Sequence, residues 1–222
     1  MSDRVTFQTA DEITIVGDWQ PAATTYAAAI LVHMMPETRK SWAAAQTAFA
    51  KRGIATLAID LRGHGESLER ADGVKFDYRQ FTDEQHQGSI YDLTAAVAWI
   101  RERGVPLDRL FAVGASIGAN LSLQLITEEP RMPGAVLISP SADYRGVDAF
   151  DDVDRIRTEQ GLYVVSSEDD IQSFGDSRKL FEMAPTQEKV FVPYKNAGHG
   201  TAILSQDPAI ADKMGEWMIG LL

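Results

Sequence analysis

The stretch Leu110-Phe111-Ala112-Val113-Gly114-Ala115-Ser116-Ile117-Gly118-Ala119-Asn120-Leu121 limits what this chain can fold into more than any other. An apolar run of strand length ends in G-A-S-I-G, and an apolar run of helical length follows it. A strand that turns into a helix at a serine is the context a G-x-S-x-G nucleophile elbow requires. Such a turn brings two backbones too close for side chains, which explains the glycines at positions 114 and 118. The serine between them presents its hydroxyl at the carboxyl edge of a sheet. The plain alternative is a turn serine that caps a helix.

The rest of the chain repeats the same alternation. Val5-Thr6-Phe7 and the run from Ile13 to Trp19 alternate like an antiparallel hairpin with one wet face. Residues 27–32, 54–59, 110–113, 135–139 and 162–166 are near-continuous apolar runs, as strands buried on both faces are, and 189–192 reads as a further strand. Between them the spacing predicts helices at about 41–51, 89–103, 117–127, 153–158 and 177–183. A last helix carries Ile210, Met214, Trp217, Met218 and Leu221 on one stripe. This pattern implies an α/β fold: a mostly parallel central sheet of about eight strands, antiparallel at its leading edge, with helices on both faces. No repeat, low-complexity tract or linker interrupts residues 1–222, so the chain reads as a single domain.

Composition excludes several kinds of chemistry. The absence of cysteine removes disulfides, zinc thiolates and a thiol nucleophile. A formal net charge of −11 repels phosphate backbones and anionic lipid surfaces, so neither nucleic acid nor a membrane is an expected partner. No window approaches the roughly 18 uncharged apolar residues of a membrane helix. The amino terminus shows no apolar signal region, and the expected location is the cytoplasm. The acids Asp148, Asp151, Asp152 and Asp154 lack the order of a calcium loop and read as a solvated helix start. Trp42, Trp99 and Trp217 read as core residues. No cofactor or metal is expected, and the oligomeric state is not readable.

A serine hydroxyl is a weak nucleophile at neutral pH and needs a base in reach, itself oriented by a third group. The chain has 4 histidines. His33 ends a buried strand, His64 lies in the turn Asp60-Leu61-Arg62-Gly63-His64-Gly65-Glu66-Ser67, and His86 sits in a polar stretch before a helix. In that turn, Asp60, Arg62 and His64 read as structural, tied by hydrogen bonds and a carboxylate–guanidinium pair. His199 lies in Asn196-Ala197-Gly198-His199-Gly200-Thr201, a glycine-flanked loop after the last strand, where sites of open α/β sheets form. His199 is the expected base for Ser116. The orienting carboxylate is sought after the strand that ends at Val165, where Glu168, Asp169 and Asp170 stand together. Asp170 would fix the tautomer of His199 and stabilise the imidazolium formed during attack.

These segments together resemble the α/β-hydrolase superfamily, in particular its small serine esterases and lipase-like enzymes, over nearly the whole chain. The resemblance rests on Leu31-Val32-His33-Met34-Met35, the Asp60 to Ser67 turn, the elbow at Ser116, the acids after Val165 and Gly198-His199-Gly200. Family members carry a Gly-x-x-Asp after the penultimate strand; aligning Ser167-Glu168-Asp169-Asp170 with it favours Asp170, with Asp169 the rival. The resemblance implies an oxyanion hole of two backbone amides, at Met35 and Ile117. Here the chain departs from the family pattern, because Met34 stands where a glycine is usual, and the two methionines are expected to narrow an apolar pocket. The short stretch 140–161 resembles members without a cap domain, which implies an open site for short acyl esters. The implied function is hydrolysis of a small carboxylic ester by Ser116, His199 and Asp170. Thioesterase, amidase or aminopeptidase activity fits the same residues. A hydrolase fold used only for binding is the rival of another class.

Overall fold

The computed structural model describes residues 2–222. Its strands are β1 (Asp3–Gln8), β2 (Ile13–Gln20), β3 (Ala27–Val32), β4 (Ile54–Ile59), β5 (Glu69–Arg70), β6 (Leu110–Ala115), β7 (Gly134–Ile138), β8 (Asp143–Tyr144), β9 (Val147–Asp148), β10 (Gly161–Ser167) and β11 (Lys189–Tyr194). The helices are α1 (Ala43–Lys51), α2 (Asp83–Gln87), α3 (Ile90–Arg101), α4 (Ile117–Glu128), α5 (Ala149–Val153), α6 (Ile171–Met183), α7 (Ala202–Gln206) and α8 (Ala209–Gly220). Eight strands follow the order β1-β2-β4-β3-β6-β7-β10-β11, and the short β5 joins β2 off that path. β1, β2 and β4 pair antiparallel, and from β4 to β11 every pairing is parallel.

Period-two alternation sorts the strand residues onto two cores. On β3 and β6, Ala28, Ile30, Val32, Leu110 and Ala112 face one way, with Leu93 and Ile100 of α3 and Leu121 and Leu125 of α4 packed on them. Ala27, Ala29, Leu31, Phe111 and Val113 face the other way, against Phe49 of α1 and Ile210, Met214 and Met218 of α8. Each fully buried large aliphatic side chain contributes about 1.5–3 kcal/mol over its exposed state. Helices on both faces follow from these strands having no wet side.

The connections leave β3 and β6 in opposite directions: α1 leads from β3 to β4 on one side, and α4 leads from β6 to β7 on the other. A crevice opens where the strand order reverses, outside the carboxyl ends of β3 and β6. Ser116 and the segment from His33 to Pro36 therefore meet there.

Several elements depart from the expectation. The helix expected near 153–158 lies earlier, at α5, because Asp148 caps it by accepting hydrogen bonds from the amides of Phe150 and Asp151. Helix α6 begins at Ile171, directly after Asp170. The 140–161 stretch carries the small β8–β9 hairpin. Asp60 and Arg62 do not pair with each other. Asp60 holds the guanidinium and amide of Arg39, while Arg62 is held by Asp92 at 2.8 Å and Asp11 at 2.7 Å. Trp42 and Trp99 are buried, whereas Trp217 is half-buried at the edge of its cluster.

Candidate active site

Ser116 stands at the junction of β6 and α4 with φ 53° and ψ −121°, a conformation that side chains rarely adopt. Such a residue stores on the order of 1–3 kcal/mol of strain and persists only where its surroundings hold it. Those surroundings are tight. A Cβ on Gly114 would lie 1.9 Å from the Gly118 carbonyl oxygen, and one on Gly118 would lie 2.3 Å from the Val32 carbonyl oxygen. Both glycines are thus needed, the second because α4 is pressed onto the end of β3. The Ser116 amide donates to the Ile138 carbonyl at 2.9 Å, which ties the elbow to β7.

His199 and Asp170 are in direct contact. Nδ1 of His199 lies 2.5 Å from Oδ2 of Asp170, with the two side chains 40% and 20% exposed. A carboxylate accepts here, so Nδ1 carries the proton and Nε2 is the nitrogen with a free lone pair. Asp169 points elsewhere: it accepts from the Ser167 hydroxyl at 2.5 Å and from the Gly198 amide at 3.2 Å, and so shapes the histidine loop without touching the ring. The Ser173 hydroxyl, in the first turn of α6, lies 3.4 Å from Nδ1.

The histidine loop is pinned to the elbow by Ser139, a buried residue at φ 51° directly after β7. Its hydroxyl accepts from the Gly200 amide at 3.0 Å, and its own amide donates to the Val165 carbonyl of β10 at 2.7 Å. A Cβ on Gly200 would lie 3.6 Å from the Cβ of Ala115, so the loop lies on the residue that precedes Ser116. Ser116 and Nε2 share no hydrogen bond in this structure; such bonds commonly tighten only with substrate in place.

The two candidate oxyanion donors flank the same crevice. Ile117 opens α4, whose first-turn amides receive no side-chain cap. Met35 follows a loop held by His33, whose ring bridges two strand ends. Its Nε2 accepts from the Leu61 amide at 3.0 Å, so Nδ1 carries the proton and donates to the Met34 carbonyl at 2.9 Å. Burial holds the His33 pKa down to about 4, consistent with that neutral tautomer. His64 packs edge-on to His33 and stacks on Tyr78 with centroids 3.8 Å apart; burial, then the neighbouring His33, lowers its pKa to about 3. His86 is buried in α2. Met34 differs from the expectation of two methionines lining one pocket. Its sulfur fills the space beside Gly200, 2.3 Å from where a Cβ would stand, while Met35 alone faces the adjoining cavity.

That cavity measures about 370 Å³ and is lined by Met35, Pro36, Tyr78, Arg79, Phe81, His86, Tyr144 and Arg145. One wall is the β8–β9 hairpin, fastened from beneath by Asn120. The buried Asn120 amide donates to the carbonyls of Ser141 at 3.0 Å and Val147 at 2.8 Å, and its oxygen accepts from the Ser141 amide at 3.2 Å. Sequence reasoning passed over Asn120 and Ser139. The available signal for Asn120 was a lone amide within an apolar helical run; for Ser139 there was none. Among the described residues no group of acids and histidines is placed to hold a metal, and no helix is long and apolar enough to cross a membrane.

The family model described as serine aminopeptidase, S33, matches residues 23–148, more than half of the chain. No curated protein matches. An esterase of Pyrococcus furiosus superposes with a TM-score of 0.79 at 17% identity, covering 100% of this chain and 91% of that one. The esterase domain of a Rhodothermus marinus protein gives 0.72 at 17%, covering 98% and 97%. Dienelactone hydrolase from Anabaena variabilis gives 0.74 at 16%, covering 99% and 97%. At these identities the solved structures speak for the fold.

Proposed function

The chain belongs to the serine aminopeptidase S33 family of α/β-hydrolases, and from that membership we propose that it is a serine hydrolase of carboxylic esters. The observation that carries the reading is the His199–Asp170 contact on a loop that Ser139 holds against the elbow of Ser116. In the proposed reaction Ser116 Oγ attacks the ester carbonyl carbon while Nε2 of His199 takes its proton. Asp170 keeps the ring in the tautomer that leaves Nε2 basic and stabilises the imidazolium. The amides of Met35 and Ile117 donate to the carbonyl oxygen as it becomes an oxyanion. His199 then returns the proton to the departing alcohol oxygen, leaving an acyl-serine. Water, giving its proton to His199, adds to the acyl carbon, and collapse frees the acid and restores Ser116.

The cavity favours an ester over an N-terminal peptide. Recognition of a free α-ammonium calls for an anionic partner, and the lining holds two guanidinium groups and no carboxylate. The test is labelling with a fluorophosphonate, followed by mass spectrometry and turnover of matched aryl esters, thioesters and anilides. The expected result is modification at Ser116 and fastest turnover of the esters. A folded protein that takes up no label and turns over none of the three would show a binding module instead.

A further inference from the structure

The cavity beside Met35 carries a cationic group that the proposed hydrolysis does not use. In a chain of net charge −11, both formally charged side chains in its lining are arginines. They differ in how they are held. Arg79 is neutralised by Asp77, which accepts from its Nε at 2.8 Å and from its Nη2 at 2.7 Å. Among the described residues, the one carboxylate within 4.0 Å of the Arg145 guanidinium is that of Asp83, at 4.0 Å from Nη1 and outside hydrogen-bond range.

Arg145 is also placed there at a conformational cost. It sits at φ 58°, followed by Gly146 at φ 76°, the left-handed pair of a tight hairpin turn that favours Asn or Gly at its first position. An arginine in that position is an outlier of the kind that clusters at ligand sites. The hairpin is held firmly at both ends. Asn120 and the carboxylate of Asp176, which accepts from the Ala142 amide at 3.0 Å, fix its base. At its tip a Cβ on Gly146 would lie 2.1 Å from Nε2 of Gln87 in α2. The guanidinium of Arg145 is thus presented over a space walled by the aromatic rings of Tyr78, Phe81 and Tyr144. Burial, then the nearby Arg145, pushes the pKa of His86 down, which favours its neutral ring.

From these features we infer that the cavity is a specificity subsite for a carboxylate borne by the substrate, with Arg145 as its recognition group. The substrate class is an anionic ester with an apolar or aromatic body. A guanidinium fork matches a carboxylate in two parallel hydrogen bonds, and the rings pack the carbon skeleton. The inference rests on the esterase reading, because the link between cavity and reaction is Met35, the proposed oxyanion donor, which lines the cavity.

The experiment uses two matched pairs of esters. The p-nitrophenyl monoester of adipic acid is compared with p-nitrophenyl hexanoate, which places the charge on the acyl side. The 4-carboxyphenyl ester of hexanoic acid is compared with its 4-carbamoylphenyl analogue, which places it on the alcohol side. The readout is the ratio of kcat/KM within each pair, which is independent of the fraction of a variant that folds. One pair is expected to favour the anionic member by about tenfold or more, as a hydrogen-bonded ion pair typically confers. That preference collapses toward unity in Arg145→Ala, is partly kept in Arg145→Lys, and declines with added salt. The pair that responds shows which side of the ester enters the cavity. Equal or reversed ratios in both pairs, or a preference that survives Arg145→Ala, overturn the subsite while leaving the hydrolase intact. Absence of turnover and of fluorophosphonate label overturns both readings together.

Discussion

The pair His33 and His64 differs from His199 in burial and in partner. His33 and His64 are closed off under the loop that carries Met35, with burial holding both rings neutral. His199 keeps 40% of its side chain exposed and rests on a carboxylate. The first group builds: one ring stitches Met34 to Leu61 through fixed hydrogen bonds. His199, with its ring partly exposed and in contact with Asp170, is the group that the proposed reaction uses as base. In the proposed reaction the same side chain serves as scaffold at one place and as base at another, according to burial and partner. The guanidinium groups follow the same division: Arg62, buried between Asp92 and Asp11, is structural, whereas the exposed Arg145 is available to a ligand.

The sharpest way to break this contrast is to remove the groups assigned to chemistry. Ser116→Ala and His199→Ala should each lower kcat by about 10⁴–10⁶-fold while thermal unfolding stays near that of the parent. A mutant that retains parental turnover refutes the assignment. Asp170→Asn should cost on the order of 10⁴ in kcat, against a small effect from Asp169→Asn, because only Asp170 reaches the ring. Equal losses from both would move the orienting role onto the loop as a whole.

The scaffold side predicts losses of stability. Arg62→Ala leaves Asp92 buried without its partner and should destabilise by about 3–5 kcal/mol in denaturant titration. Acid should act through the buried rings. Both folded-state pKa values, about 4 for His33 and about 3 for His64, lie below the value near 6.5 of a free imidazole. Between pH 6.5 and 4 the unfolded chain therefore binds more protons than the folded one. The stability these rings contribute is complete above pH 6.5 and declines as the pH falls, by about 1.4 kcal/mol per pH unit for each ring. Burial raises the pKa values of Asp92 and Asp152 to about 6, which gives the opposite dependence between pH 6 and 4. The rings are therefore read as the difference in slope between the parent and His64→Asn. No difference over that window would show that burial does not hold His64 neutral. The smallest effect is expected from Ser139→Ala, which strands the buried Gly200 amide and should cost about 1–3 kcal/mol. Its kcat should fall by a larger factor than KM rises, since the loop that loosens carries the base.

Much of the architecture was legible because it rests on local patterns. The apolar runs of β3, β4 and β6 announce strands without a wet face, and the glycines around Ser116 announce the elbow. Other parts were illegible for equally definite reasons. The hairpin turn at Arg145-Gly146 lacks the Asn-Gly that advertises such turns, so the wall of the cavity did not show. Asp60 faces Arg39, across 21 positions of sequence, in preference to Arg62 beside it. Neither the spacing nor the composition of the turn distinguishes those pairings.

Period, propensity and glycine placement alone were enough to specify the parallel sheet, its helical cover and a strained serine at the elbow, since each depends on residues close together in the chain. Three things were decided only in tertiary structure: that Asp170 and not Asp169 meets His199, that Met34 turns beneath the histidine loop, and that Arg145 overhangs a cavity. Each is a matter of direction and distance between segments brought together by folding, and side-chain direction across such a gap depends on packing that no local pattern encodes.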